Sequence, residues 1–420
     1  MKGTYMTKRT HYTILSIWFF AAICLLGLFA DVKVIKYYVR HETINEEWTP
    51  ELGRKNETEY ATLFPGKETL LELNGGIKRL LGQREMNGVV RLTNDHVTSL
   101  KAEKVPQKDL RKEASNVAVL SDYLYQRGIP FLFVLPPDKI TSSDGKSSIR
   151  AEKSVEGETT AAAIQRAAKE TDGVIPAGYV DYANRNIDIF METLDARGTA
   201  YLDLRKEMEG DGINPYDFFY KTDHHWTSQA GRYAFLKIAD WAEKNTDVRL
   251  DQRARKEENF SQQTYEKVLS GTWAQRTGTL FAGSDDITVY TPSYETDVEN
   301  LTFSKRGSLS DAAYNLEYLK EGKPDFIYDA VFDTTDQFVN YSADNDTTVL
   351  VICDSFGRVV NPFLILSARN MWFQSIYRSS EINDALLEKL QPDLVVMLFS
   401  PWYNLGKADS FAFSLPGVSP

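Results

Sequence analysis

Three short apolar runs constrain the fold of this chain more than any other feature: IPFLFVL at Ile129–Leu135, TTVLVIC at Thr347–Cys353 and LVVMLF at Leu394–Phe399. Runs with so few polar positions suit parallel strands covered on both faces, because a strand with one wet face alternates polar and apolar residues. Helical periodicity fills the intervals. Leu110, Val117, Leu120 and Leu124 keep helical spacing up to a stop at Gly128, and Val180–Ala196 is periodic before Gly198 and a strand at Ala200–Leu204. Thr227 is placed to cap a helix over Ser228–Lys244, an apolar helix candidate runs on through Leu366, and Glu381–Leu390 precedes the last run. Strands alternating with helices in this way predict a three-layer α/β/α sandwich around a parallel sheet.

With 420 residues, 42% of them hydrophobic, the chain has material for a large core. Lysine and arginine total 48 against 59 aspartate and glutamate, a net charge of -11, and no long basic run occurs outside the extreme N-terminus. Nucleic acid is therefore not an expected partner.

The N-terminus differs from the rest. Lys2, Lys8 and Arg9 precede nineteen uncharged residues, Tyr12–Ala30, nearly enough helix to cover a hydrocarbon core of about 30 Å. Trp18 inside this segment and Tyr37-Tyr38 beyond it favour an uncleaved single-pass anchor over a cleaved signal peptide, and both readings export the remainder. The expected organisation is a cytoplasmic tail and transmembrane anchor at 1–30 and a juxtamembrane, lead-in segment at 31–105. An extracytoplasmic catalytic domain follows at 106–420, with a polar insertion at about 245–346. The exported part has one cysteine, Cys353, and so no internal disulfide.

Two of the five histidines stand side by side in KTDHHWT, Lys221–Thr227. The chain has neither HxxxH nor CxxC, and no metal or other cofactor is expected. If the segment is extended, residues i and i+2 share a face, so Asp223 meets His225 while His224 points away. A carboxylate behind an imidazole fixes its tautomer and supports the imidazolium formed when the other nitrogen takes a proton. Ser355 is the best nucleophile for that pair. It directly follows the second apolar run and opens a helix, where its own N–H and those of Phe356 and Gly357 would supply part of an oxyanion hole. Taken singly, Ser355 reads as a helix cap and Asp223 as a turn residue; together on one α/β domain they read as a triad. Cys353 should point into the core, where a thiol is inert. Arg276 and Arg378 are candidates for holding a substrate or donor carboxylate.

CDSFG together with an upstream TDHHWT resembles the SGNH hydrolase-like domain of the AlgX/AlgJ alginate O-acetyltransferases and the related DHHW proteins. The resemblance spans roughly Asn74 to Asn404 and takes in the PPDK turn at 136–139, GTWAQRTG at 271–278 and PDLVVMLF at 392–399. It implies an SGNH-hydrolase-like, flavodoxin-like fold, with Ser355 as nucleophile, His225 as general base and Asp223 as its orienting carboxylate. It also implies acetyl transfer to hydroxyls of a cell-surface or secreted polysaccharide, with a membrane-bound O-acyltransferase as partner and acyl donor. A carbohydrate acetyl esterase with the same triad and a non-catalytic polysaccharide-assembly subunit are the alternatives. This chain departs from the pattern in carrying Cys353 where the family usually has glycine, and no asparagine or tyrosine is placed as second oxyanion donor.

Overall fold

Each of the three apolar runs is a strand at the centre of one sheet. The computed structural model describes residues 66–100, 104–140, 175–176, 181–321, 336–400, 405–406 and 411–415. The expected membrane segment, Tyr12–Ala30, lies outside them, and among the described residues no helix is long and apolar enough to cross a membrane. The chain divides into two units, the first ending at Leu81 and the second beginning at Gly82. The described part of the first is a helix, α1 (Lys67–Leu80), with Leu70, Leu73 and Ile77 exposed along it.

The second unit opens with a small antiparallel sheet of β1 (Glu85–Met86), β2 (Val89–Arg91) and β3 (Val97–Thr98). Helix α2 (Gln107–Tyr125) leads into β4 (Phe131–Leu135), and α3 (Ala183–Ala196) into β5 (Tyr201–Asp203). Helix α4 (Ser228–Asn245) follows, and Thr227 caps it by accepting the Ala230 N–H, as its position predicts. A two-stranded ribbon of β6 (Phe260–Leu269) and β7 (Asp285–Pro292) precedes three short strands, β8 (Val298–Asn300), β9 (Lys305–Gly307) and β10 (Gln337–Asn340). The chain then forms β11 (Thr348–Cys353), α5 (Asn361–Ser367), β12 (Asn370–Ser375), α6 (Asp384–Leu390) and β13 (Leu394–Leu398).

The main sheet has the order β5-β4-β13-β11-β12-β10-β8-β9. Its first five strands are parallel, but β10, β8 and β9 join antiparallel, so the sheet is mixed and not parallel throughout as expected. The added strands have three or four residues each; β8 and β10 mix half-exposed with buried positions, and β9 has no buried residue. Antiparallel pairing tolerates one wet face, so such sequences extend a sheet without showing the apolar runs that announce a buried parallel strand.

The central strands divide their side chains between two cores. Leu132, Val134, Val349, Val351, Cys353, Val396 and Leu398 face the layer of α4 and α5, with Trp226, Phe235 and Phe363. Phe131, Phe133, Leu350, Ile352, Val395 and Met397 face α2, α3 and α6, with Leu110, Val117, Phe190 and Leu387. Successive residues on a strand point to opposite faces, so both faces must be apolar for both helical layers to pack. Each fully buried Leu, Val or Phe contributes about 1.5–3 kcal/mol of hydrophobic stabilisation. The parallel pairing also brings the carboxyl ends of β4, β13, β11 and β12 to one edge, which places the turns after them side by side.

Candidate active site

Ser355 leaves the end of β11 on a five-residue 3-10 turn, Ser355–Val359. His225 and Asp223 come from the loop before α4. The structure brings the three together. Asp223 Oδ1 lies 2.6 Å from His225 Nδ1, and His225 Nε2 lies 2.7 Å from Ser355 Oγ. Asp223 and His225 are buried, while Ser355 is partly exposed.

The loop is not extended. Asp223 Oδ1 accepts the His225 N–H at 2.9 Å, which closes an Asx turn, and Phe219 and Trp226 pair across the base of the loop. The turn corrects the expectation for His224. Its ring centroid lies 3.8 Å from that of His225, the planes tilted by 36°, and its Nδ1 lies 3.3 Å from Asp223 Oδ1, so it sits beside Asp223 and His225 and does not point away. An i, i+2 argument holds for pleated backbone, and an aspartate that bonds its own chain two residues on removes the pleat.

Burial opposes ionisation of Asp223. The imidazoles of His225 and His224, the His225 hydrogen bond and the Thr272 N–H outweigh it and hold the carboxyl well below the usual carboxylate range. Burial lowers His224 from its ordinary 6.5 to about 3, so it is neutral near pH 7. Asp223, His224 and His225 could each offer a ligand atom within 4.8 Å of the others. Both ring nitrogens of His225 are already engaged, however, by Asp223 and by Ser355, so a metal held by this histidine would dismantle the hydrogen-bonded line.

The expected oxyanion donors are placed differently. The Phe356 N–H donates to Asp354 Oδ1 at 2.9 Å, and the Gly357 N–H donates to the Asp354 carbonyl at 3.0 Å. Both are committed within the turn, because Asp354 acts as its cap. The Ser355 N–H makes no such bond among the described residues and is the donor left to the site. Gly357 has a packing role: a Cβ there would come within 2.5 Å of the Cys353 sulfur. Cys353 itself is fully buried, as expected. Asp354 Oδ2 also accepts the Ser400 N–H at 2.7 Å, joining the ends of β11 and β13, and burial pushes its carboxyl up to about 7.

Arg276 donates to the Asn87 carbonyl at 2.7 Å and lies over the Trp273 ring, which meets that of His224 in a T-shaped contact at 6.0 Å. It is thus tied to the turn between β1 and β2 at the rim of the site. Arg378 lies just past the end of β12, on the same sheet edge, with an exposed pairing to Glu381 at 3.9 Å.

Several residues that hold the site escape sequence reasoning. The Thr272 N–H donates to Asp223 Oδ2 at 2.6 Å, and Gly271 packs so closely that a Cβ would meet that of Asp223 at 2.5 Å. Asp285, at the start of β7, accepts the N–H groups of Lys221 and Thr222 and the Thr222 hydroxyl at 2.6–2.8 Å. Trp226 Nε1 donates to the Phe356 carbonyl at 2.8 Å, tying the histidine loop to the serine turn. Lys139 of the PPDK turn bonds the same loop from beneath. The region read as an insertion over one edge therefore supplies Gly271, Thr272 and Asp285 to the site. In GTWAQRTG the sequence draws attention to the arginine, while the closer contacts belong to the glycine and threonine.

The profile of the family described as "SGNH hydrolase-like domain, acetyltransferase AlgX" matches residues 95–313, just over half of the chain. The match includes the DHHW loop and ends before Ser355. No curated protein matches. Among solved structures, PatB1 of Bacillus cereus with a sulfonyl adduct aligns at a TM-score of 0.55 and 16% identity, covering 79% of this chain and 99% of that one. A DHHW family protein of Eubacterium siraeum aligns at 0.52 and 14%, covering 78% and 95%. The O-acetyltransferase domain of Pseudomonas putida AlgJ aligns at 0.45 and 13%, covering 77% and 93%. At such identities the first two likenesses establish the fold.

Proposed function

The chain belongs to the AlgX family of SGNH hydrolase-like acetyltransferase domains, and from that premise we propose that it is a membrane-anchored, extracytoplasmic O-acetyltransferase acting on a polysaccharide. The observation that carries this reading is the unbroken line from Asp223 through His225 to Ser355, with contacts of 2.6 and 2.7 Å. In it, Ser355 Oγ attacks the acyl carbon of a donor as its proton passes to His225 Nε2, and Asp223 supports the imidazolium. The Ser355 N–H stabilises the developing oxyanion. The donor's leaving group takes the proton from His225 and departs, leaving an acetyl ester on Ser355. A sugar hydroxyl then gives its proton to His225 as its oxygen attacks the ester carbon, the bond to Ser355 Oγ breaks, Oγ recovers the proton from His225, and the sugar carries the acetyl group away.

The anchor at Tyr12–Ala30 and a membrane-bound O-acyltransferase partner complete the proposal. A donor delivered through the bilayer and a catalytic domain tethered beside it would meet at high effective concentration. Transfer and hydrolysis share every step until the acceptor arrives. The test is to follow free acetate from an acetyl ester with and without an oligosaccharide acceptor. Transfer predicts that acceptor diverts acetyl from water to sugar, detectable by the mass of the product. Release of free acetate at the same rate in both cases would show an esterase.

A further inference from the structure

Lys139 ends the turn that leaves β4, and it is 3% exposed. Its Nζ donates to four backbone carbonyls, those of Val97, Tyr220, Lys221 and Asp223, at 2.8, 2.8, 2.9 and 2.6 Å. Val97 belongs to β3, and Tyr220 to Asp223 form the loop that carries the acid of the triad. One group thus spans the PPDK turn, the small sheet and the catalytic loop. An ammonium has three hydrogens to share among these oxygens, whereas a neutral amine has two and would turn a lone pair toward a carbonyl. The cage is built for the charged form.

Asp285 grips the same loop through Lys221 and Thr222. Several titratable groups act on Lys139. The carboxylates of Asp285, Asp223 and Asp138 favour its proton, and the imidazoles of His96 and His224 lie close enough to feel it, with Lys221 near His96.

Resting on the reading of Asp223, His225 and Ser355 as an acyl-transfer triad, we propose that Lys139 is its positioning residue: the buried charge gathers the Tyr220–Asp223 carbonyls and so fixes the angle at which Asp223 meets His225. Burial draws Lys139 down from its ordinary 10.5 to about 7, against the pull of Asp285, Asp223 and Asp138. Raising the pH through that region replaces one N–H by a lone pair and loosens the loop, so activity carries an alkaline limb near neutral pH.

The test uses the full chain in detergent with p-nitrophenyl acetate. Ser355 Oγ bonds to the acetyl carbon, the hydroxyl proton passes to His225 Nε2 and on to solvent, and the bond to p-nitrophenolate breaks; water then attacks the ester with His225 as base, the bond to Ser355 Oγ breaks, Oγ is reprotonated and acetate leaves. Lys139→Met keeps the length of the side chain and removes the charge. The expected result is a fall in kcat at pH 7 of about 100-fold, with KM changed less than about threefold, and loss of the alkaline limb. A merely structural lysine would lower Tm and leave the limb in place. Asp285→Asn provides a second reading should Lys139→Met fail to fold: Asp285 favours the charged lysine, so its neutralisation should move the limb to lower pH.

A folded Lys139→Met with kcat within about threefold of the parent overturns the proposal. So does a parent profile without an alkaline limb, or a limb unmoved in Asp285→Asn. Ser355→Ala in the same assay keeps the two ideas apart: if it is inactive while Lys139→Met is unaffected, only the role of Lys139 falls, whereas an active Ser355→Ala removes the triad reading itself.

Discussion

At the carboxyl edge of the sheet, the ends of β4, β11 and β13 converge on Lys139, Asp354 and Ser400, each no more than 3% exposed, beside the buried Asp223 and His225. The amino edge of the same strands opens instead into a cavity of about 880 Å³. Its lining includes Asp247, Asp346, Asp384, Glu388 and Asp393, all exposed. Charges at the amino edge keep their water and need no partners. Those at the carboxyl edge have lost it, and each is held by named donors or acceptors instead, since an unpaired buried charge costs several kcal/mol. Space alone is therefore a poor guide to chemistry in this molecule. Among the described residues lining the large cavity there is no serine, cysteine or histidine, so the Ser-His pairing of the carboxyl edge has no counterpart there.

The largest effects are expected at Ser355, His225 and Asp223. Ser355→Ala and His225→Ala are expected to lower acyl transfer by about a thousandfold or more, measured as product per folded enzyme. Asp223→Asn, which keeps the shape but loses the carboxylate, and Gly271→Ala, whose Cβ would push on Asp223, are expected to cost about 10- to 1,000-fold in kcat.

The carboxyl edge should also be sensitive to acid. Burial lowers His96 from its ordinary 6.5 to about 3, with Lys139 and Lys221 adding to the effect. Between those values the unfolded chain binds a proton that the native chain refuses, so stability falls as pH drops from 6.5 toward 3. At pH 5 this loss is about 2 kcal/mol for the one group. Urea unfolding at pH 7 and pH 5 checks it: His96→Gln should lose less stability over the interval than the parent. At the other edge, Glu388→Ala and Asp346→Ala should leave activity within about twofold and stability within about 0.5 kcal/mol, and a large loss from either would make the amino edge functional after all.

The sheet centre is legible in sequence because strands covered on both faces carry no polar positions, and β4, β11 and β13 follow that rule. The antiparallel extension is not, since three- and four-residue strands with half-wet faces resemble loops. The proximity of Ser355, His225 and Asp223 is legible because a serine at a buried strand's end and a carboxylate two positions before an imidazole are placed to meet at one sheet edge. His224 and the Phe356 and Gly357 amides were expected elsewhere for one physical reason: Asp223 and Asp354 each bond their own backbone, bending one segment and consuming the donors of the other. Lys139, Thr272 and Asp285 are invisible to local reasoning, because the contacts that define them reach 42 to 84 positions along the chain and a lysine in sequence reads as surface.

The central claim is that Ser355 is a nucleophile activated by His225. Treating the full chain with phenylmethylsulfonyl fluoride and mapping the adduct by peptide mass spectrometry tests it directly. The expected result is a sulfonyl group on Ser355, formed in the parent at least about tenfold faster than in His225→Ala. An adduct on any other residue, or equal rates in the two proteins, would contradict it.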